Sequence, residues 1–447
     1  MNNKVISSIL GVGVLIGGWY LYPNNSILEP EFQNVFGENK AFFQNSFDTD
    51  IEEKVANIAL VNDGEAGRKA IERIDNHTFK FLTSCDVGTG WVLDYLVPEN
   101  GGYPTTWFFA TNAHVIQNFQ FSSNPYEQEL PISLDAVKSL RNKHTKTNSK
   151  LFDTNACNES KRTGYSGFNL ATGDTGSTNE RDKDGISSSG MKEPKLFYIP
   201  INFLGKSGRK WEAPGNADYY KDFAVIEIEF ESVEAAKAAT NGFYDKYKPS
   251  TDEGLDLSKD ELMSQYDLNE LALLNTNFYS LGYPDLENQG QRFAKRDNLD
   301  KITGSASLIS FGIEGTPLIG NNNKLPIKGH ISANGREIQN PNSALIWNGK
   351  KMYSIGYEYL ISNMSMGSGA SGSLVTDKDG NVLGIYSNHY AAINHGVVVP
   401  LRSSGIKDIQ PQYDLIRGAN GQKSSFRQQI EKYYKGRNTY LKSKGWK

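Results

Sequence analysis

Acyl transfer requires a nucleophile, a base to take its proton, a group that orients the base, and donors for the developing oxyanion. The segment Gly367-Ser368-Gly369-Ala370-Ser371-Gly372-Ser373-Leu374-Val375 offers the first and the last of these. It ends an irregular stretch and runs directly into apolar residues that read as a strand. Glycines on both sides of Ser371 let the backbone bend tightly, so the amides of Gly369 and Ser371 can converge as an oxyanion hole beside the Ser371 hydroxyl. Ser368 and Ser373 compete for the role, but only Ser371 has glycine both two residues before it and one after. The same pattern also suits a plain Gly/Ser turn between strands. A Gly-x-Ser-x-Gly elbow fits less well, because a strand and not a helix follows.

Six histidines could act as the base: His77, His114, His144, His330, His389 and His395. His114 lies at the end of the apolar run Trp107-Phe108-Phe109-Ala110-Thr111-Asn112-Ala113, a rigid mounting with small residues for close approach. A core histidine is the alternative reading of that position. His144 sits in a charged loop and His77 near a helix end, and both are read as surface residues. The orienting acid should be buried beside a strand. Asp222, just before Phe223-Ala224-Val225-Ile226, meets that description, with Asp218 as its rival and an ordinary turn aspartate as the bland alternative.

The elements that must hold these residues are mostly strands. Strand texture starts at Phe79-Lys80-Phe81-Leu82, continues through Gly90 to Tyr95 and Thr105 to Ala110, returns at Leu196 to Leu204, and is strongest at Phe223 to Phe230. Helices are expected from Glu65 to Arg73, from Val233 to Tyr247, and after Ser258-x-x-Glu261, followed by a strand at Phe278 to Leu281. A final helix, about 426–441, opens at Ser425-x-x-Gln428 and carries Phe426, Ile430, Tyr433 and Leu441 near one face. Polar stretches at about 121–194 and 285–350 read as long loop insertions at the surface, the first of them partly disordered.

The segment Met1–Pro23 differs from the rest, with Lys4 as its only charge and Trp19, Tyr20 and Tyr22 at its outer end. It is expected to be a transmembrane signal-anchor that leaves the remainder of the chain extracellular. A cleaved signal peptide and a buried apolar segment of a soluble protein are the competing readings, but no small-x-small site closes the segment. A polar stalk and helical lead-in, with a capping pattern at Thr49-x-x-Glu52, would fill residues 24–78 ahead of a domain over 79–447. The first cysteine is Cys85 and the second Cys157, so no lipid can be attached to a cysteine just after the apolar run; whether the two pair is open. No cofactor motif and no metal-ligand set stands out. A net charge of −4 argues against nucleic acid as a partner.

The order His114, Asp222, Ser371 is the chymotrypsin order. Thr111-Asn-Ala-His114-Val resembles the Thr-Ala-x-His signature of trypsin-like peptidases, Asp222-Phe-Ala-Val their acid motif, and Gly369-Ala-Ser371-Gly-Ser their nucleophile motif. Gly88-Thr-Gly-Trp-Val-Leu-Asp-Tyr95, Ala110-Thr-Asn-Ala-His-Val115, the Asn-rich insertions and Tyr413-Asp-Leu-Ile416 resemble the mycoplasma immunoglobulin proteases, from roughly Phe79 to the C-terminus. That resemblance implies a mainly β, chymotrypsin-like fold of two antiparallel β-barrels, with long loop insertions and peripheral N- and C-terminal helices. It also implies serine endopeptidase activity outside the cell, with a host protein such as immunoglobulin as substrate and a separate binding partner. Ser387, Asn388 and His389, on the strand after the nucleophile, would line the substrate. Ala370 and Ser373 depart from the trypsin pattern. An inactive surface protein that binds host proteins, and a stress-type trypsin-like protease, remain as alternatives.

Overall fold

The computed structural model describes residues 64–83, 87–145, 168–171, 190–205, 218–265, 277–284, 303–305, 308–311, 344–355, 358–362, 364, 366–390, 395–406 and 410–446. The Met1–Pro23 segment, the stalk, the Thr49-x-x-Glu52 cap, Cys85, Cys157 and much of both polar stretches lie outside these residues. Among the described residues no helix is long and apolar enough to cross a membrane.

The chain is mainly β, with two large antiparallel sheets, two smaller sheets and peripheral helices. Helix α1 (Gly64–His77) leads into β1 (Thr78–Thr83), β2 (Val87–Tyr95) and β3 (Thr106–Thr111), and α2 (Leu134–Thr145) follows. Next come β4 (Phe168–Ala171), β5 (Lys195–Tyr198), β6 (Tyr219–Tyr220) and β7 (Ala224–Glu229), then helices α3 (Val233–Ala239), α4 (Phe243–Lys246) and α5 (Leu262–Gln265). Strands β8 (Asn277–Ser280), β9 (Thr303–Ser305), β10 (Leu308–Phe311), β11 (Ala344–Trp347), β12 (Lys350–Ser354) and β13 (Glu358–Ser362) precede the nucleophile-like turn. After it run β14 (Leu374–Asp377), β15 (Val382–Tyr390), β16 (His395–Pro400), β17 (Arg402–Ile406) and β18 (Gln410–Asp414), and the chain closes with α6 (Phe426–Tyr433) and α7 (Tyr440–Ser443).

The first sheet has the order β4-β1-β2-β3-β7-β5 and the second β10-β13-β16-β15-β14-β8-β9; both ladders are open as described. The smaller sheets are β11-β12-β6 and β17-β18. Strand β7 lies between β3 and β5 and is buried at five of its six positions, four of them apolar and the fifth Glu227. Strand β4 comes from inside the polar 121–194 stretch yet forms the edge of the first sheet, pairing Phe81 with Leu170. The described start of that stretch is also packed, with Phe121, Tyr126 and Leu130 buried. His77, read from sequence as a surface residue, is in fact buried, wedged between Phe243 and Tyr247 with its Nδ1 2.7 Å from the Arg73 carbonyl. Burial pulls its pKa down to about 4.

Ser425 caps α6 by accepting from the Gln428 amide, as the sequence predicts. The expected single helix over 426–441 is instead two short ones, because Gly436 adopts a left-handed φ of 84° between them. Both helices fold back on the first sheet. A bulge in β2 leaves Leu93 without a register partner, and Asp94 is buried beside it. The Asp94 carboxylate accepts from the amides of Tyr95 and Leu441, the latter at 3.0 Å, and so caps α7. Further out, Tyr126 and Tyr434 both donate to Glu227 on β7, and Lys195 reaches the same carboxylate at 2.8 Å.

Candidate functional site

Strand register brings the histidine and the aspartate together. In the β3–β7 pair Thr111 lies opposite Ala224, so the residues leaving β3 meet those entering β7. His114 opens a short 3₁₀ turn there, His114–Ile116. Its backbone amide donates to Asp222 Oδ1 at 3.1 Å, and its ring Nδ1 lies 2.7 Å from Asp222 Oδ2. Asn112 Nδ2 donates to the Asp222 carbonyl at 2.6 Å and fixes the two loops to each other. Both side chains are more than nine-tenths buried. Burial pushes the Asp222 pKa up, but attraction to His114 and hydrogen bonds from His114 and Ser387 outweigh it and hold the carboxyl below its usual range. The rival Asp218 is occupied elsewhere, accepting from Asn202 Nδ2 at 2.6 Å.

The β14–β15 hairpin carries Ser371. Leu374 pairs with Ile385, the Gly372 amide donates to the Tyr386 carbonyl at 2.8 Å, and Ser371 therefore comes to lie beside Ser387. Ser387 is the residue skipped by a bulge in β15, where Tyr386 faces Val398 and Asn388 faces Val397. Bulges re-aim side chains beside functional sites. Here Ser387 Oγ donates to Asp222 Oδ2 at 2.7 Å, and the Ser387 carbonyl accepts from Ser371 Oγ at 3.0 Å. Ser387 thus bridges the two sheets. From sequence it was expected to line the substrate together with Asn388 and His389; all three lie on β15, and Ser387 and Asn388 are partly exposed.

Gly367, Gly369 and Gly372 all have left-handed φ, 87°, 87° and 96°. A Cβ on Gly372 would lie 1.8 Å from the Thr89 carbonyl oxygen, so no other residue fits there without moving β2. Among the described residues the Gly369 and Ser371 amides have no protein acceptor, whereas Ala370 and Gly372 donate to the Gly367 and Tyr386 carbonyls. Ser373 Oγ is buried and donates to the Ala370 carbonyl at 2.6 Å, a structural bond. An imidazole held by a buried carboxylate can take a proton at Nε2, and two free amides on a sharp turn can hold an oxyanion.

Thr89 was not singled out from sequence. Its amide donates to the Ser371 carbonyl at 2.8 Å, its hydroxyl donates to the Gly369 carbonyl at 3.1 Å and accepts from the Tyr283 amide at 2.9 Å. Thr111 Oγ1 donates to the Thr89 carbonyl at 2.8 Å. Thr89 thus fastens the nucleophile-like turn to the sheet that carries His114, and its place between Gly88 and Gly90 is the only trace of this in the sequence. Lys221 is the other surprise: it is fully buried, its Nζ donates to the Ile355 carbonyl at 2.7 Å, and burial pulls its pKa down to about 8 against the attraction of Glu358 and Asp222.

Comparison with known proteins adds lineage. A membrane-associated lipoprotein of Ureaplasma parvum serovar 3 is 24% identical over 78% of this chain and 49% of its own length. An uncharacterized lipoprotein of Mycoplasma capricolum subsp. capricolum is 24% identical over 79% of this chain and 64% of its own. The chain thus spans about half of the first relative and under two thirds of the second. A solved structure of the mycoplasma MIB and MIP proteins is similar at 17% identity and a TM-score of 0.45, covering 81% of this chain and 60% of that one. The family model described as mycoplasma immunoglobulin protease matches residues 43–388, a span that includes His114, Asp222 and Ser371, and by that match this chain belongs to the mycoplasma immunoglobulin protease family.

Proposed function

We propose that this chain is a serine endopeptidase held at the outer face of the membrane. The observation that carries the reading is the shared Asp222 carboxylate, which takes His114 Nδ1 and Ser387 Oγ at 2.7 Å each, with Ser371 bonded to that same Ser387. Once Ser371 Oγ leaves the Ser387 carbonyl and donates to His114 Nε2, it attacks the scissile carbonyl while His114 takes its proton. The amides of Gly369 and Ser371 stabilise the oxyanion. Collapse returns the proton from His114 to the leaving amine, and water then repeats the sequence on the acyl-enzyme, releasing the acid and restoring Ser371. Asp222 holds the Nδ1–H tautomer and faces the imidazolium.

The relatives' lipoprotein names support a membrane location. We assign the attachment to the apolar Met1–Pro23 segment as a single membrane-spanning helix, with the catalytic domain outside the cell. The family name supports immunoglobulin as the substrate; its delivery by a separate binding partner belongs to the same proposal. A second reading, a surface protein that binds host protein without cutting it, is favoured by the Ser371 hydroxyl resting on the Ser387 carbonyl. Covalent labelling by a fluorophosphonate separates the two. Stoichiometric modification of Ser371 in folded protein supports the peptidase; folded protein that stays unlabelled leaves the binder.

A further inference from the structure

We infer that Thr89 is a positioning residue for acyl transfer. Its hydroxyl holds the Gly369 backbone in the orientation that presents the Gly369 amide to the oxyanion, and its main chain ties that turn to the strand leading to His114. The inference rests on the peptidase reading above and adds a residue that the reaction needs although it touches neither substrate nor base. Thr89 lies in β2 of the first sheet, whereas Gly369 and Ser371 precede β14 of the second, so the bonds between them cross from one sheet to the other.

A threonine hydroxyl has one proton to donate and lone pairs to accept with. Thr89 is fully buried; it donates to the Gly369 carbonyl at 3.1 Å and accepts the Tyr283 amide at 2.9 Å. Gly369 has no Cβ, and at a φ of 87° its own backbone does not fix where its peptide groups point. The hydrogen bond to its carbonyl does. The next two carbonyls are secured as well. That of Ala370 takes the Ser373 amide at 3.1 Å and Ser373 Oγ at 2.6 Å, and that of Ser371 takes the Thr89 amide at 2.8 Å. Each carbonyl from Gly369 to Ser371 is thus engaged, while among the described residues the Gly369 and Ser371 amides have no protein acceptor and are left for an oxyanion.

The same residue reaches towards the base. The Thr89 carbonyl accepts from Thr111 Oγ1 at 2.8 Å, and Thr111 ends β3, three residues before His114. There is no slack in this contact, since a Cβ on Gly372 would lie 1.8 Å from the Thr89 carbonyl oxygen and 2.7 Å from Thr111 Oγ1. Valine has the branched shape of threonine but can neither donate nor accept, so it leaves the Gly369 carbonyl and the Tyr283 amide unpaired while keeping the strand bonds. Serine keeps the hydroxyl and loses a methyl group.

The test compares Thr89→Val, Thr89→Ala and Thr89→Ser with the parent, each as the full chain, by fluorophosphonate labelling of Ser371 at a temperature where thermal melts show the protein folded. Labelling over a range of reagent concentrations and pH separates the limiting rate, the half-saturating concentration and the pH midpoint, which reports the base. A disturbed oxyanion donor should lower the limiting rate of the valine and alanine variants on the order of a hundredfold and leave the other two quantities where they were. Thr89→Ser should label within about threefold of the parent. Lost stability alone moves the melt and not the limiting rate of folded protein. If the valine variant does not fold, the smaller alanine decides. A valine or alanine variant that labels within about threefold of the parent overturns the inference, as does a serine variant that loses as much as they do, or a rate loss that carries the pH midpoint with it. A parent that does not label refutes the peptidase reading itself, and this inference with it.

Discussion

Replacing Asp222 by Asn tests the core of the proposed mechanism, and its size follows from the distances. In the parent, Asp222 Oδ2 accepts from two donors at 2.7 Å while Oδ1 accepts the His114 amide at 3.1 Å. Asparagine has one acceptor oxygen. If it faces the backbone amide, its NH₂ group confronts His114 Nδ1, the ring proton moves to Nε2, and the base is lost. If the amide flips, the tautomer survives, but NH₂ meets the buried His114 N–H at a cost of about 1–3 kcal/mol. In either case the negative charge facing the imidazolium disappears. At an effective dielectric of 20, a charge pair 2.7 Å apart is worth about 6 kcal/mol. Each 1.36 kcal/mol is a decade, so the loss should be on the order of 10⁴ in rate. The assay is the second-order rate of fluorophosphonate labelling of Ser371 at neutral pH, read by intact-protein mass, beside a thermal melt that confirms folding. Asp218→Asn, which alters the carboxylate that accepts from Asn202 and leaves Asp222 in place, should label at nearly the parent rate. An Asp222→Asn protein that labels within tenfold of the parent, or an Asp218→Asn protein that loses as much, refutes the assignment.

Ser371→Ala should abolish labelling, whereas Ser373→Ala should keep it and lose about 1 kcal/mol of stability with its bond to Ala370, as urea titration would show. Gly372→Ala should cost roughly 2–6 kcal/mol, from its left-handed backbone and the clash with Thr89, and should stop labelling; denaturation and labelling together check it. Asp94 and His77 should oppose each other in pH dependence. Burial raises the Asp94 pKa to about 7, so its stabilising protonated form is complete below about pH 4 and lost as pH rises to 7. His77, held neutral by burial with a pKa of about 4, costs stability as pH falls from 6.5 towards 4. Asp94→Asn should therefore uncover a rise of about 3 kcal/mol in unfolding free energy between pH 4 and 6.5; a flat profile would show that His77 protonates without penalty.

The residues of the proposed site were legible because each sits where a strand begins or ends. His114 follows an unbroken apolar run, Asp222 precedes one, and Ser371 lies on a glycine-flanked turn into β14. Their order in the chain then joined three separately ordinary signals. Register was not legible. Nothing in the polar stretch around Phe168 announces the edge of a sheet, since an edge strand needs only backbone partners and a few buried side chains. Ser387 read as a substrate-lining residue because a bulge, which decides where its hydroxyl points, depends on the partner strand. Lys221 carries no signal in the sequence, because the Ile355 carbonyl that accepts from its buried ammonium is brought over by β12 from far along the chain. His77 was misplaced for a similar reason, as Phe243 and Tyr247 lie far along the sequence.

The return of α6 and α7 to the first sheet also sets a timetable. Strands β1 to β7 leave the ribosome early, yet the amide that satisfies Asp94 belongs to Leu441, and the hydroxyl beside Tyr126 on Glu227 belongs to Tyr434. Phe108 and Phe197 wait as long for their ring contacts with Phe426. Contacts that span more than 300 residues close slowly and only after synthesis is nearly complete. A nascent chain would therefore carry His114 and Asp222 on an unfinished platform through most of its translation. A nick between β18 and α6 would reopen that platform without touching Ser371. For the proposed peptidase, such late closure keeps the site unassembled while its own unfolded chain is still within reach.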